Sequence, residues 1–264
     1  MMKSSDVVCR YLLLLFILSL VLGLSGCVKE DRSACPCRLV LDFTEVDTAV
    51  VSSVDMTILS SSGFAFTEVV NNDSFKDYSV TVPRAELQLF LRSGTDYCLN
   101  ADKSVTIPFG EDCPRIFVHK SVIGATGEQC RDKVMLKKDH CVITIQFSEG
   151  YDEEFQMTVT GKVNGYGKDC MPSVGEFSCK AVPDDSGACV VTVPRQLDSS
   201  LALEIDDGTE ALKVFPIGQY IAESGYDWKA EDLDDITMTL DYSLMDVSLE
   251  ICDWDNDQRY DIVI

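Results

Sequence analysis

The chain has 264 residues, 46 % of them hydrophobic and 25 % charged, and its 44 acidic against 22 basic side chains give a formal net charge of −22. A surface so acidic repels nucleic acid and anionic lipid headgroups, so neither is an expected partner, and it keeps an exposed protein soluble. The length suffices for two domains of ordinary size, each burying its own core.

The N-terminus reads as an address. Lys3 and Arg10 flank a short lead, and 11–24 is nearly all Leu, Val, Ile and Phe. That run has the length of a signal-peptide core and falls short of the roughly 20 residues a spanning helix needs. It ends in Leu24-Ser25-Gly26-Cys27, the form of a lipobox: small residues that fit a lipoprotein signal peptidase, then the cysteine whose sulfur takes diacylglycerol. The expectation is a lipoprotein signal peptide over 1–26 and a lipidated Cys27 as the first mature residue. Several acyl chains would then tether the protein stably without spanning the bilayer. An ordinary secretory signal with an incidental cysteine is the alternative. Directly after Cys27, the residues Lys29, Glu30 and Asp31 resemble the surface-export signal of lipoproteins in the Bacteroidota, and a plain solvated tether over 27–37 would carry the same charges.

With Cys9 removed in the signal and Cys27 lipidated, ten cysteines remain: Cys35, Cys37, Cys98, Cys113, Cys130, Cys141, Cys170, Cys179, Cys189 and Cys252. An even number in an exported chain suggests disulfides, whose connectivity the sequence leaves open. Zinc is poorly supported, since no CxxC pair occurs and the only histidines are His119 and His140.

Along the mature chain the pattern is one of short period-2 runs separated by Gly, Asp, Asn and Ser: 38–43, 54–59, 78–82, 87–91, 142–147, 155–160, 190–193, 201–205, 236–242 and 246–252. Many short strands at such spacing predict an all-β sandwich or barrel. Long helical periodicity is absent, and the one helical turn suggested, over 228–233, has Asp227 as its cap. The chain also repeats itself. Val80-Thr81-Val82-Pro83-Arg84 recurs letter for letter as Val191-Thr192-Val193-Pro194-Arg195, Ile107-Pro108-Phe109-Gly110 is echoed by Phe215-Pro216-Ile217-Gly218, and the strand ending at Phe43 matches the one ending at Phe147. Three anchors in one order predict two similar β-sandwiches, over 38–138 and 139–264, joined near 137–139.

These residues carry a resemblance. The lipobox cysteine, the charged spacer, "CPCRLVLDF" at 35–43, the VTVPR strands and the closing block from Phe215 through Trp254 resemble the FimB-like family of fimbrial anchor subunits of the Bacteroidales, over essentially the whole mature chain. The resemblance implies two transthyretin-like sandwich domains in tandem. It implies a lipoprotein that roots a fimbrium in the outer membrane, facing the cell surface, and limits its length. Its partners would be a fimbrial stalk subunit and the outer-membrane lipid reached through the acylated cysteine. Stalk subunits of such fimbriae lose an N-terminal strand to an arginine-specific protease and accept a partner's C-terminal strand in its place. An anchor that keeps its N-terminus would act as the donor, so Arg32 and Arg38, between lipid and strand, must then be shielded.

A donor strand needs alternating apolar side chains while its main chain completes a sheet. At the terminus, Tyr260, Ile262 and Ile264 fall on one face and Asp261 and Val263 on the other. The same strand could instead simply close its own domain. No catalytic site and no cofactor are expected. Two histidines offer few bases for a triad, and neither a GxSxG nor a phosphate-binding glycine loop occurs. The alternating carboxylates of 253–257 start like a calcium loop, but Gln258 and Ile264 stand where such a loop needs glycine and glutamate. Two other readings stay open: a surface adhesin holding glycan or host protein on Trp228 or Trp254, and a processed stalk or tip subunit.

Overall fold

The computed structural model describes residues 35–94, 97–149, 155–185, 187–208, 212–242, 246–252 and 257–262. The signal peptide, Cys27, Lys29, Glu30, Asp31 and Arg32 therefore lie outside the described residues, as do Trp254 and Ile264. From Pro36 onward the chain is one compact unit. No described helix is long and apolar enough to cross a membrane.

The chain is all-β. Its first part runs β1 (Cys37–Asp42), β2 (Ser53–Ser60), β3 (Ala65–Asn71), a 3-10 turn (Asn72–Asp77), β4 (Ser79–Val82), β5 (Glu86–Gly94), β6 (Val105–Thr106), β7 (Ile116–Gly124), β8 (Gln129–Lys133) and β9 (Lys137–Lys138). The second part runs β10 (His140–Glu149), β11 (Gln156–Tyr166), β12 (Pro172–Ala181), β13 (Cys189–Pro194), β14 (Ala202–Asp206), β15 (Lys213–Phe215), the helix α1 (Ile217–Glu223), β16 (Asp235–Asp241), β17 (Asp246–Cys252) and β18 (Asp257–Ile262).

Four sheets enclose two cores. A sheet ordered β4-β1-β8 faces one ordered β3-β2-β5-β7-β9, and a sheet ordered β13-β10-β16-β17-β18 faces one ordered β12-β11-β14-β15. Alternation decides which side chains meet between them. Val54, Met56 and Ile58 on β2 and Leu87, Leu89 and Leu91 on β5 are each at most 1 % exposed and meet Leu39 and Leu41 of β1 in the first core. Ile143 and Ile145 of β10, Leu203 and Ile205 of β14 and Ile236, Met238 and Leu240 of β16 fill the second.

The repeat seen in the letters is a repeat of pairing. Leu39 of β1 pairs Val80 of antiparallel β4 and Cys130 of parallel β8. Ile143 of β10 pairs Val191 of antiparallel β13 and Ile236 of parallel β16 in the same way. Both VTVPR copies thus lie on the strand that edges the same side of its sheet, where a proline at the strand end forfeits no needed hydrogen bond.

The pairing of 107–110 with 215–218 has a different explanation. Phe215-Pro216-Ile217-Gly218 ends β15 and opens α1, whereas 107–110 belongs to a connection between β5 and β7 that crosses to the second core. There β6 pairs β11, Ile107 N–H donates to Asn164 O at 2.7 Å, Gly110 N–H to Ser178 O at 2.8 Å and Cys113 N–H to Thr192 O at 2.9 Å. Val105, Ile107 and Cys113 are buried by it, and Phe109 is left 78 % exposed. Gly165 permits the approach, because a Cβ there would fall 2.0 Å from Val105 O. At 227, Asp227 Oδ1 does accept from Lys229 N–H at 2.8 Å, but the segment is a turn; the helix is α1, starting after Pro216 and followed by Gly225 at φ +84°.

Candidate assembly interface

The C-terminal strands are built onto the end of a sheet. Buried Ile236, Met238 and Leu240 fix β16 against the second core. β17 adds antiparallel to it with Ile236 opposite Ile251 and Met238 opposite Leu249, and Leu249 is 1 % exposed. β18 then adds to β17, Tyr260 opposite Leu249 and Ile262 opposite Val247. β18 is the last strand of this sheet, so one side of its main chain meets no described strand. The C-terminal strand is therefore seated on its own chain. Of the expected donor residues, the structure places the main chain of Tyr260 and Ile262.

The turn into the hairpin is tied down by chemistry. Tyr242 packs on Phe155 at 4.8 Å between ring centroids, its ring lies 3.8 Å beneath Lys213 Nζ, and its hydroxyl donates to Asp207. Lys213 in turn pairs with Asp207 at 3.5 Å. The hairpin base is thus fastened to β14 and β15, while β18 is held by β17.

At the other end of the chain, β8 terminates its sheet as β18 terminates the longer one. In the first core β16's counterpart β8 has no described strand on its far side; in the second, β17 and β18 occupy that side. The hairpin is an addition to a pattern both halves share.

The cysteines separate by burial. Cys35 and Cys98 are exposed, and Cys113, Cys141, Cys170, Cys179 and Cys189 are buried in the second core. Burial pushes the Cys141 thiol up to about 12 and that of Cys189 to about 11, so both stay protonated. Cys37 and Cys130 face each other across β1 and β8, sulfur to sulfur at 3.5 Å. The Cys252 side chain lies outside the description.

The two histidines are structural neighbours of the main chain. His119 Nδ1 accepts from Met135 N–H at 3.3 Å, which leaves Nε2–H to donate to Asp132 Oδ2 at 2.9 Å. Ser121 donates to the same carboxylate oxygen. Serine, histidine and aspartate thus meet, but the hydroxyl rests on the carboxylate instead of the imidazole, so no base is placed to activate it. Burial works to raise the Asp132 carboxyl, and the bonds from His119 and Ser121 outweigh it, holding the group below the usual range. His140 lies 2.9 Å from Ile116 O and is held down by burial. Trp228 packs edge-on against Tyr226 at 4.8 Å, which makes it part of the core margin and not an open platform. Among the described residues no group of three or more side chains is arranged to hold a metal ion.

What sequence reasoning missed is the meeting of the two halves. Asp139 is fully buried, its carboxylate accepts from Arg195 Nε, and Lys120 Nζ stands 3.9 Å from its other oxygen. Tyr166 hydroxyl donates to Asp139 O and accepts from Arg195 N–H at 3.2 Å. Arg195 Nη1 also donates to Trp228 O and to Ala230 O, the latter at 2.8 Å. The only trace in the sequence was the arginine that closes the exact repeat, and it stands 56 residues from Asp139.

No family model matches the chain, and no characterised relative matches it at the level of sequence. Solved structures do match. A proposed polysaccharide-binding protein from Bacteroides thetaiotaomicron superposes with a TM-score of 0.62 at 12 % identity, over 86 % of this chain and 98 % of that one. The fimbrial anchor protein Mfa2 from Porphyromonas gingivalis superposes with a TM-score of 0.59 at 12 % identity, over 83 % and 98 %. A proposed adhesin from Bacteroides ovatus gives 0.53 at 12 %, over 86 % and 96 %. The chain shares its fold with these proteins.

Proposed function

We propose that the chain is the lipid-anchored base subunit of a surface fimbrium, made of two tandem sandwiches over 38–138 and 139–264, with the first lending 105–118 to the core of the second. The observation that carries this reading is the placement of β18: a strand joined to its sheet through β17 that meets no other described strand on its far side. Such a strand can extend a partner's sheet, with main-chain hydrogen bonds supplying affinity and the alternate residues Tyr260, Ile262 and Ile264 filling pockets. Uncovered, it would be an aggregation hazard, so a partner strand answers a physical need. The fold shared with the anchor Mfa2 supports the fimbrial role. The lipobox supports attachment through Cys27, and the Lys29-Glu30-Asp31 segment supports export to the outer face. The adhesin reading loses its described aromatic platform, because Trp228 is packed against Tyr226.

The test is the N-terminal state of protein recovered from outer membranes, by intact mass and peptide mapping, together with removal of 257–264. A lipidated Cys27 continuous with β1, and loss of stalk co-purification on truncation, are the expected results. A chain beginning just after an arginine and lacking lipid overturns the base assignment, and stalk binding that survives truncation overturns the donor role.

A further inference from the structure

Among the described cysteines, Cys37 and Cys130 are the two whose sulfurs touch, 3.5 Å apart and 93 residues apart in sequence. They lie on neighbouring parallel strands, in a register that sets Leu39 opposite Cys130, and both point to the core side with Leu39 and Leu41. Cys37 is 1 % exposed, and Cys130 packs at the margin of the same core. The strands are otherwise held by pairing from Arg38–Gln129 to Asp42–Lys133 and by the attraction of Asp42 to Lys133 and Arg131, none of it covalent. Cys37 is also the first residue of β1, the point at which any pull arriving from the N-terminal side enters a sheet.

We propose that Cys37 and Cys130 form a disulfide that locks β1 to the terminal strand β8, so that traction on the N-terminus is carried by a covalent bond instead of by one strand's hydrogen bonds. The traction clause rests on the base-subunit reading; the bond itself does not. Closing it joins the two sulfurs and removes two protons and two electrons, which pass to a disulfide-bearing oxidant of the exported compartment and leave that oxidant as a dithiol. Attack requires a thiolate. Burial, followed by the contact with Cys37, pushes Cys130 up to about 12, so the bond forms during folding and not readily in the folded, reduced chain. The exposed Cys35, two residues upstream, is the competing partner.

The experiment is peptide mapping of full-length protein taken from outer membranes into alkylating agent without reductant. The expected result is a bridged pair containing Cys37 and Cys130, two hydrogens lighter than the separate peptides and split by dithiothreitol, with Tm falling by roughly 5–15 °C on reduction. Alkylated Cys37 or Cys130 in the unreduced protein overturns the proposal, as does Cys130 bridged to Cys35. Reduced protein incubated with oxidised glutathione should regain the same pair, slowly when folded and faster in mild denaturant; a different pairing overturns the proposal. Pulled from its two ends in a force measurement, the oxidised chain is expected to withhold the 93-residue stretch between Cys37 and Cys130 from extension, and Cys130→Ser to release it; equal extensions overturn the traction role. An unlipidated N-terminus would instead overturn the base-subunit reading and leave the mapped bond standing.

Discussion

Arg195, the last residue of the second VTVPR copy, donates from Nε to the fully buried carboxylate of Asp139, the residue immediately before β10. The pair ties the edge strand β13 to the segment that leads from one core into the other, and the Tyr166 hydroxyl and the carbonyls of Trp228 and Ala230 complete it. Burial raises the Asp139 carboxyl above its ordinary range, and Lys120 and Arg195 oppose that rise. Removing one partner of such a pair leaves the other charge buried and alone, a loss of about 3–5 kcal/mol. Asp139→Asn is expected to cost that much in urea denaturation. Arg84, which closes the first copy and has a buried Nε with no partner, is the contrast; Arg84→Ala should cost about 1 kcal/mol or less. Equal losses at the two positions would refute a special role for the Asp139 pair.

Gly165 is where the connection between β5 and β7 touches β11. A methyl at this position would sit 2.0 Å from Val105 O, against backbone that cannot swing aside. Gly165→Ala is expected to destabilise by about 1–3 kcal/mol, as overpacking does. Its signature is local: amide exchange at Thr106 and Ile107, which pair Gly165 and Asn164, should speed up before the rest of the second core responds. Gly124→Ala, with nothing within 4 Å of its Cβ, serves as the control. Protection at Ile107 that is unchanged in Gly165→Ala would show that β6 is not held there.

His140 makes the fold sensitive to mild acid. Burial lowers its pKa below the ordinary imidazole value of about 6.5, so the unfolded chain binds the proton more readily than the folded one. Stability contributed by the neutral ring is therefore present above about pH 6.5 and is lost as pH falls below it. Stability measured between pH 7 and pH 5 should decline in the wild type and decline less in His140→Gln. A parallel decline in both would assign the acid sensitivity to other groups.

The strand pairing was legible where one face is apolar and the other polar. The runs at 38–43 and 142–147 and the two VTVPR segments gave β1, β10, β4 and β13, and their spacing carried the shared register. β7 was hidden because its two faces serve different cores: Ile116 and Val118 enter the second, and Ile123, of opposite parity, enters the first. β3 and β8 are edge strands with charged or exposed residues on both faces, as edges require, and so lack a clean alternation. α1 is seven residues long and too short for its period to register, although Pro216 and Gly225 bracket it. The cysteines could be counted but not paired, because contact across parallel strands 93 residues apart has no local trace. The echo of Ile107-Pro108-Phe109-Gly110 in Phe215-Pro216-Ile217-Gly218 was similarity of letters between a crossing loop and a helix start.

Arg92 is the opposite case to Arg195. It points from β5 away from the first core, toward the β11–β12 turn, and is 2 % exposed. Its Nη2 donates to Gly167 O at 2.7 Å and reaches Cys170 Sγ at 3.6 Å, while Nε and Nη1 are buried without a partner. Asp55, its cross-strand neighbour, is instead engaged by the Tyr97 hydroxyl. A buried donor left unmade costs about 1–3 kcal/mol, and a guanidinium adds the cost of burying charge. Replacing it by an apolar side chain of similar length removes both penalties and forfeits one good hydrogen bond. Arg92→Met is expected to be neutral or to stabilise by about 1–2 kcal/mol in urea denaturation, where Asp139→Asn destabilises. A loss of 3 kcal/mol or more would mean that Arg92 has charged partners in solution, with Asp139 across the junction the first to examine, since Arg92 already helps hold that carboxyl down.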